Sequence, residues 1–308
     1  MEDLKRFKDL PNYSELLNIT QIHKGWSLDK KYHVLTKSYE HYLLRTSDFL
    51  NYDKKKSEYE FIQTLAKEPI PMSQPIDFGV FNEGQEVYML LSFIDGEQVE
   101  IVVPHLPKRM QYELGFEAGK ILKQIHSITV ANPIDFNRTY KDKIARRIEL
   151  FRQCEIKSEK VDEIIKWVQA NTNLLNDRPI SLQHGDYHTG NMIINQNNEL
   201  SIIDFNRHEI ADPYYEFNRL YITIKYSEAF ASGQINGYFN NKVPSDFFTY
   251  LKFYVLSTQI GVIPWALVYD KDNLEFAYDS INQAYRDFIE NKTNVPNWYI
   301  SGEAAKKL

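Results

Sequence analysis

Cysteine is nearly missing from this chain: Cys154 is the only one in 308 residues. A single thiol excludes an intrachain disulfide and an all-cysteine metal site, and its expected place is that of a small buried hydrophobe. No apolar run approaches the roughly 18 residues that a membrane-spanning helix needs, and no charged-then-apolar leader opens the sequence. The expectation is a cytoplasmic protein without membrane contact. Positive charge is not in excess either. The formal net charge is −6, which argues against a nucleic-acid partner, because such a partner calls for a basic face. Low-complexity stretches and internal repeats are also lacking. The composition that remains, 43% hydrophobic and 14% aromatic, can bury a large core in one bilobal unit or in two domains.

The most informative stretch runs from Ser181 to Phe205. Ser181 to Gln183 reads as a short strand and His184 to Asn191 as a tight polar loop. Met192–Asn195 and Leu200–Phe205 read as two strands joined by the turn-forming Gln196-Asn197-Asn198-Glu199. The hairpin would return Asp204 to the loop that carries Asp186 and Asn191. This spacing meets the kinase pattern H-x-D-x-x-x-x-N through His184, Asp186 and Asn191, with Asp204 as the later acidic residue. In that chemistry the loop Asp faces the acceptor hydroxyl, while the Asn and the second Asp hold Mg²⁺ against the phosphates. Hard oxygen ligands suit Mg²⁺, which takes one or two carboxylates plus phosphate and water.

HGDYHTGN followed by IIDF resembles the signature of the aminoglycoside phosphotransferase and choline kinase superfamily, small-molecule kinases of bilobal protein-kinase-like fold. The resemblance spans about Gly25 to the region of Trp298. It implies an α+β architecture with a sheet-rich nucleotide-binding lobe over residues 1–94 and a mainly helical catalytic and acceptor-binding lobe over 95–300. A tail, 301–308, reads as a polar and disordered end. The donor would be ATP or GTP with Mg²⁺. Asp186 would be catalytic, and Asn191 and Asp204 would be the metal ligands.

Weaker features follow in the order the resemblance implies. His23-Lys24-Gly25-Trp26-Ser27 is a short turn whose backbone N–H groups, Ser27 among them, would cover phosphates. Arg45 stands where relatives carry the basic residue that holds the α/β-phosphates, often Lys; Arg offers a planar fork for the same oxygens. Tyr52 to Ala66 has helical periodicity, with Phe61, Ile62 and Leu65 apolar and Lys54, Lys55, Lys56, Glu58 and Glu60 polar. Either Glu58 or Glu60 would pair with Arg45. Val87 to Ile94 is an apolar strand whose end resembles the interlobe hinge, where the backbone of Ser92 and Phe93 would hydrogen-bond the purine.

Helical patterns cover Lys108–Ser127, Tyr140–Asn171, Glu216–Tyr226, Asp246–Ile263 and Asn273–Glu290. His126 and His184 are expected to brace the catalytic core, and His188 is an exposed loop residue without an assigned task. The acceptor wall would be built from Asn206, Glu209, Glu216, Trp265 and Asp270, with Asp212 bracing the segment. From Ser181 onward acids outnumber bases, which favours a cationic acceptor such as an aminoglycoside antibiotic. Macrolide, choline and amino-sugar acceptors stay open, as does a catalytically idle nucleotide-binding module. A protein kinase is disfavoured because Asp204 is followed by Phe205-Asn206 rather than Phe-Gly and no Ala-Pro-Glu segment follows. Oligomeric state is not legible.

Overall fold

The structure, a computed structural model, describes residues 4–23, 29–130, 133–269, 271 and 274–308. The expected Ser27 turn and Asp270 lie outside the described residues. Along the chain run β1 (Leu16–Ile22), β2 (Lys30–Thr36), β3 (His41–Asp48), α1 (Tyr52–Leu65), β4 (Pro75–Phe81), β5 (Glu86–Ser92), β6 (Glu97–Gln98), α2 (Val99–Val102) and α3 (Lys108–Ser127). There follow α4 (Phe136–Gln153), α5 (Glu159–Ala170), β7 (Ser181–Gln183), β8 (Met192–Ile194), β9 (Leu200–Ile202) and β10 (Glu209–Ala211). The remainder is helical: α6 (Leu220–Thr223), α7 (Glu228–Tyr238), α8 (Phe247–Gln259), α9 (Val262–Tyr269), α10 (Leu274–Tyr285) and α11 (Gly302–Ala305). The chain divides into two compact units, Met1–Glu97 with Ile193–His208, and Gln98–Met192 with Glu209–Leu308.

In the first unit a five-stranded antiparallel sheet has the order β1-β2-β3-β5-β4. Strand side chains alternate between faces, so β2 sends Tyr32, Val34 and Thr36 into one layer. There they pack with Phe7, Leu10, Ile19, Leu44, Phe81 and Tyr88. Lys31 and Arg45 are direct cross-strand partners, and opposed residues of an antiparallel pair share a face. Both therefore point away from that core. Helix α1 buries Lys55, Glu58, Tyr59, Phe61, Ile62 and Leu65, so its buried surface includes two charged side chains from its first turns. The end of β9 is fastened to this unit: Met72 pairs with Ile202, and the Ile202 N–H donates to the Pro71 carbonyl at 2.8 Å.

The second unit is built on helices, with β7 and β10 paired antiparallel. Four glycines bring α3 and α7 into backbone contact. A Cβ on Gly115, Gly119, Gly233 or Gly237 would lie 1.9–2.2 Å from a carbonyl oxygen of the facing helix. Helix α7, absent from the expectations above, buries nearly all of its residues. The expected helix Tyr140–Asn171 is two, α4 and α5, and Ser158 caps the second by accepting from the Val161 N–H. Cys154, expected buried, is only partly so. The tail is not irregular: Ser301 caps α11, and Ala305 is buried. Among the described residues no single helix is long and apolar enough to cross a membrane; α8 and α9 are apolar enough together but are bent by 41°. Helix α8 buries Phe247, Leu251, Phe253, Tyr254 and Leu256 in the second unit.

Candidate active site

In the second unit the polar loop after β7 is held from both polarities by one turn of 3₁₀ helix, Tyr215–Arg219. Glu216, 2% exposed, accepts the Gly185 N–H through both carboxylate oxygens at 3.0 and 3.1 Å and the Tyr187 N–H at 3.4 Å. Arg219 donates to the Gly185 carbonyl at 3.3 Å and forms an ion pair with Asp186 at 3.1 Å. The expectation that Glu216 lines an acceptor wall is corrected: its carboxylate is spent on the backbone beneath the loop. Burial alone would raise the Glu216 pKa, but His126 and His184 beside it and the Gly185 N–H outweigh it and hold the carboxyl below its usual range.

His126, at the end of α3, stands 3.8 Å from Glu216 and meets the Tyr238 hydroxyl at 3.0 Å. Burial pushes its pKa down, because desolvation disfavours the imidazolium. His184 accepts the Asp186 N–H at 3.2 Å, and the Tyr187 hydroxyl donates to the Ala118 carbonyl of α3 at 2.7 Å. His188 is not an exposed bystander: its Nδ1 accepts the Gly190 N–H at 3.1 Å, and its Nε2 lies 3.7 Å from Asp186. Asn191 donates from Nδ2 to the Asp186 carbonyl at 2.9 Å, which orients the amide and leaves Oδ1 as its acceptor or ligand atom. Asp212 is fully buried, paired with Arg178 and accepting from the Tyr254 hydroxyl at 2.6 Å, so it braces the fold.

In the first unit Arg45 sits in a buried charge network that the sequence only half announced. It pairs with Glu58 at 2.5 Å and with Asp29 at 2.6 Å. Lys55 pairs with the same two carboxylates at 3.2 and 2.5 Å. Glu58, not Glu60, therefore reaches Arg45; Glu60 is exposed and lies 4.0 Å from Lys56. Burial opposes the charge on Arg45, yet Glu58, Asp204 and Asp29 together push its pKa up. Burial would raise Asp29 too, but Arg45 and Lys55 bring it below its usual value. Sequence reasoning missed Asp29 and Lys55. Lys55 lies three residues before Glu58 on the buried stripe of α1, a signal that was hidden within a run of lysines.

Asp204 belongs to this first unit, 3.3 Å from Lys31 and 3.9 Å from Arg45. Its backbone adopts φ 67°, a left-handed conformation that costs a non-glycine residue energy and recurs at functional sites. Each unit offers one hard oxygen donor of the kind a divalent cation takes, the Asp204 carboxylate in the first and the Asn191 amide oxygen in the second. No cluster of three or more His, Cys, Asp or Glu side chains suited to a metal occurs among the described residues.

Other expected site residues lie elsewhere. The Ser92 N–H donates to the Gln74 carbonyl at 2.8 Å and the Phe93 N–H to the His41 carbonyl at 3.2 Å. Both amides are thus committed to carbonyls of the protein itself. Asn206 follows Asp204 in a turn. Glu209, on β10, is paired with Lys143. Trp265, on α9, is 37% exposed and packs against Tyr269 with ring centroids 5.8 Å apart.

The sequence matches the phosphotransferase enzyme family, APH, over residues 18–250. No curated protein matches it. Among solved structures, the GDP and kanamycin complex of APH(2")-IIIa superposes with a TM-score of 0.70 at 17% identity, covering 92% of this chain and 97% of the other. A thermostable mutant of APH(4)-Ia in ternary complex with ADP and hygromycin B gives a TM-score of 0.66 at 15% identity, covering 90% and 95%. The gentamicin–APH(2")-IIa complex gives 0.62 at 16% identity, covering 87% and 92%. At such identities the likeness shows the shared protein-kinase-like fold, whereas the family match spans most of the chain. The chain belongs to the phosphotransferase enzyme family and is a small-molecule kinase.

Proposed function

We propose that this kinase transfers the terminal phosphoryl group of ATP or GTP, with Mg²⁺, to a hydroxyl of a small cationic acceptor of the aminoglycoside type. The observation that carries the reading is the loop from His184 to Asn191, in which Arg219 sets the Asp186 carboxylate and the Asp186 carbonyl sets the Asn191 amide. Asp186 orients the acceptor O–H and takes its proton. The acceptor oxygen forms the new bond to phosphorus as the bond to the bridging oxygen breaks, leaving the nucleoside diphosphate. Mg²⁺, when bound through Asn191 and Asp204, supplies charge neutralisation at the phosphates. Because the transition state is loose, positioning matters more than a strong base.

The acidic balance of residues 181–308 and the exposed aromatic pair Trp265–Tyr269 suit an acceptor that is both cationic and ring-shaped. The kanamycin, hygromycin B and gentamicin in the superposed complexes belong to that class. The test is a panel of aminoglycosides, macrolides, choline and amino sugars with Mg·ATP and Mg·GTP, read by mass, on the wild type and Asp186→Ala. A phosphorylated aminoglycoside whose formation falls about 10²- to 10⁴-fold in the variant, with nucleotide affinity kept, is the expected result. Product on another acceptor reassigns the substrate, and turnover unchanged in the variant removes Asp186 from the mechanism.

A further inference from the structure

The acids that the second unit brings to its catalytic segment are spent inside the protein. Glu216 holds the Gly185 and Tyr187 N–H groups, Asp212 pairs with Arg178, and Glu209 pairs with Lys143. Glu100, on α2, is placed differently. It is partly exposed, and its partner is neutral, the Tyr226 hydroxyl. Among the described residues no lysine, arginine or histidine pairs with it.

Its carboxylate is nevertheless built into the surroundings of the reacting loop. The Gln98 amide donates to the Gly190 carbonyl at 2.7 Å, which ties the start of α2 to the residue before Asn191, and Val99 is buried beside it. A Cβ on Gly190 would lie 2.8 Å from Glu100 Oε2 and 2.9 Å from the His188 ring. Gly190 is not among the glycines of positive φ, so its lack of a side chain answers crowding and not backbone torsion. The Glu100 carboxylate occupies that room. The loop doubles back at the same place, because Asn191 donates to the Asp186 carbonyl at 2.9 Å. Gly190, with Glu100 against it, therefore stands beside the turn that carries Asp186.

We infer that Glu100 is a specificity-determining residue of this kinase, whose carboxylate receives an ammonium group of the acceptor while Asp186 orients the hydroxyl. The inference rests on the reading of the acceptor as cationic and deepens it. A carboxylate held by one hydroxyl keeps lone pairs for further donors, and a hydrogen bond from an ammonium is roughly twice as strong as a neutral one. Burial and the Glu100 carboxylate together push the Tyr226 pKa up, so the hydroxyl keeps its proton and steadies the carboxylate without neutralising it. Two carboxylates then fix the acceptor at two points. Among the hydroxyls of one molecule, such a pair selects the one at a set distance from an ammonium.

The test separates a charge contact from a brace. Glu100→Gln keeps the length of the side chain and an oxygen for the Tyr226 hydroxyl, and removes the charge. Tyr226→Phe removes the hydroxyl and keeps the charge. Kinetics are read with kanamycin, gentamicin and hygromycin B at saturating Mg·ATP, and nucleotide binding by calorimetry with Mg·AMP-PNP. In Glu100→Gln the acceptor KM is expected to rise about tenfold or more, the scale of one charge-assisted contact, with kcat and nucleotide affinity nearly unchanged. Added salt should raise the wild-type KM more than that of the variant, since screening weakens a contact between charges. Tyr226→Phe should stay close to the wild type in KM. A wild-type acceptor KM in Glu100→Gln overturns the inference and leaves the kinase reading standing. A loss confined to kcat, nucleotide affinity or thermal midpoint, or a greater rise of KM in Tyr226→Phe than in Glu100→Gln, overturns it too and makes Glu100 a brace. A wild type that binds nucleotide but phosphorylates none of the three acceptors overturns the cationic-acceptor reading together with it.

Discussion

At the scale of single residues, the loop bearing Asp186 is controlled by two side chains of opposite charge, one helical turn apart. Glu216 collects backbone N–H groups from Gly185 and Tyr187, while Arg219 takes the Gly185 carbonyl and the Asp186 carboxylate. Their burial sets what each contributes. Glu216 is enclosed, so its bonds hold the fold together. Arg219 has a side chain 22% exposed, and a partly solvated ion pair adds no more than about 1 kcal/mol to stability. Its effect belongs to the direction in which Asp186 points. Arg219→Ala is therefore expected to lower kcat by about 10- to 100-fold, as misplacement of a reacting group does, with nucleotide affinity and thermal midpoint nearly unchanged. Steady-state kinetics and a melting curve check this together. A large loss of stability with kcat per folded molecule intact would make Arg219 a fold residue instead.

At the scale of elements, the α3–α7 contact supports everything above it. Helix α3 carries the Ala118 carbonyl that anchors Tyr187 and, at its end, the His126 ring beside Glu216. Its approach to α7 is set by reciprocal glycine contacts. Gly115 and Gly119 meet the Phe230 and Gln234 carbonyls, and Gly233 and Gly237 meet those of Tyr112 and Phe116. A methyl group at Gly119 would sit 2.1 Å from the Gln234 oxygen, and no rotamer can relieve a clash with backbone. Helix propensity gives alanine about 1 kcal/mol over glycine, whereas overpacking costs typically 1–3 kcal/mol and sometimes more. With the clash against main chain, overpacking wins. Gly119→Ala should lower the urea midpoint and reduce activity. Gly261→Ala, whose Cβ would meet the Arg147 side chain at 3.2 Å and the Thr258 carbonyl only at an ordinary 3.7 Å, should cost much less. The sequence hid α7 because Ser-Gly-Gln-Ile-Asn-Gly reads as a breaker-rich loop, and a helix buried all round shows no amphipathic stripe. The available signal was small-residue spacing, Gly-x-x-x-Gly on both helices.

At the scale of the whole molecule, legibility followed how local each feature is. The stretch from Ser181 to Asn191 was readable because its chemistry and its turns lie within one short segment. The return of residues 193–208 to the first unit depends on bonds such as Ile202 to Pro71, which no local pattern encodes. Nor did the pattern show that Lys55 and Asp29 would be buried together, since charge usually marks a solvated face. Buried charge has a consequence for stability against acid, and it differs from site to site. His126 and Glu216 in the second unit, and Asp29 in the first, all have lowered pKa values. A lowered value means that the unfolded chain binds the proton first, so stability is full above the ordinary pKa and falls as pH drops toward the folded one. For His126 that loss begins below the ordinary histidine value of 6.5. For Glu216 and Asp29 it begins only below 4.5 and 3.8. Between pH 6.5 and 5 the surroundings of His126 should therefore weaken before those of Glu216 and Asp29; His33 on β2 is lowered too, by burial and by His41, so the contrast lies between sites. Hydrogen exchange across that range is expected to quicken in peptides containing His126 and Tyr238 before those containing Arg45 and Glu58. His126→Asn, which keeps a partner for the Tyr238 hydroxyl and carries no titrating group, should abolish the early step. An unchanged acid profile in that variant would assign the loss to another group.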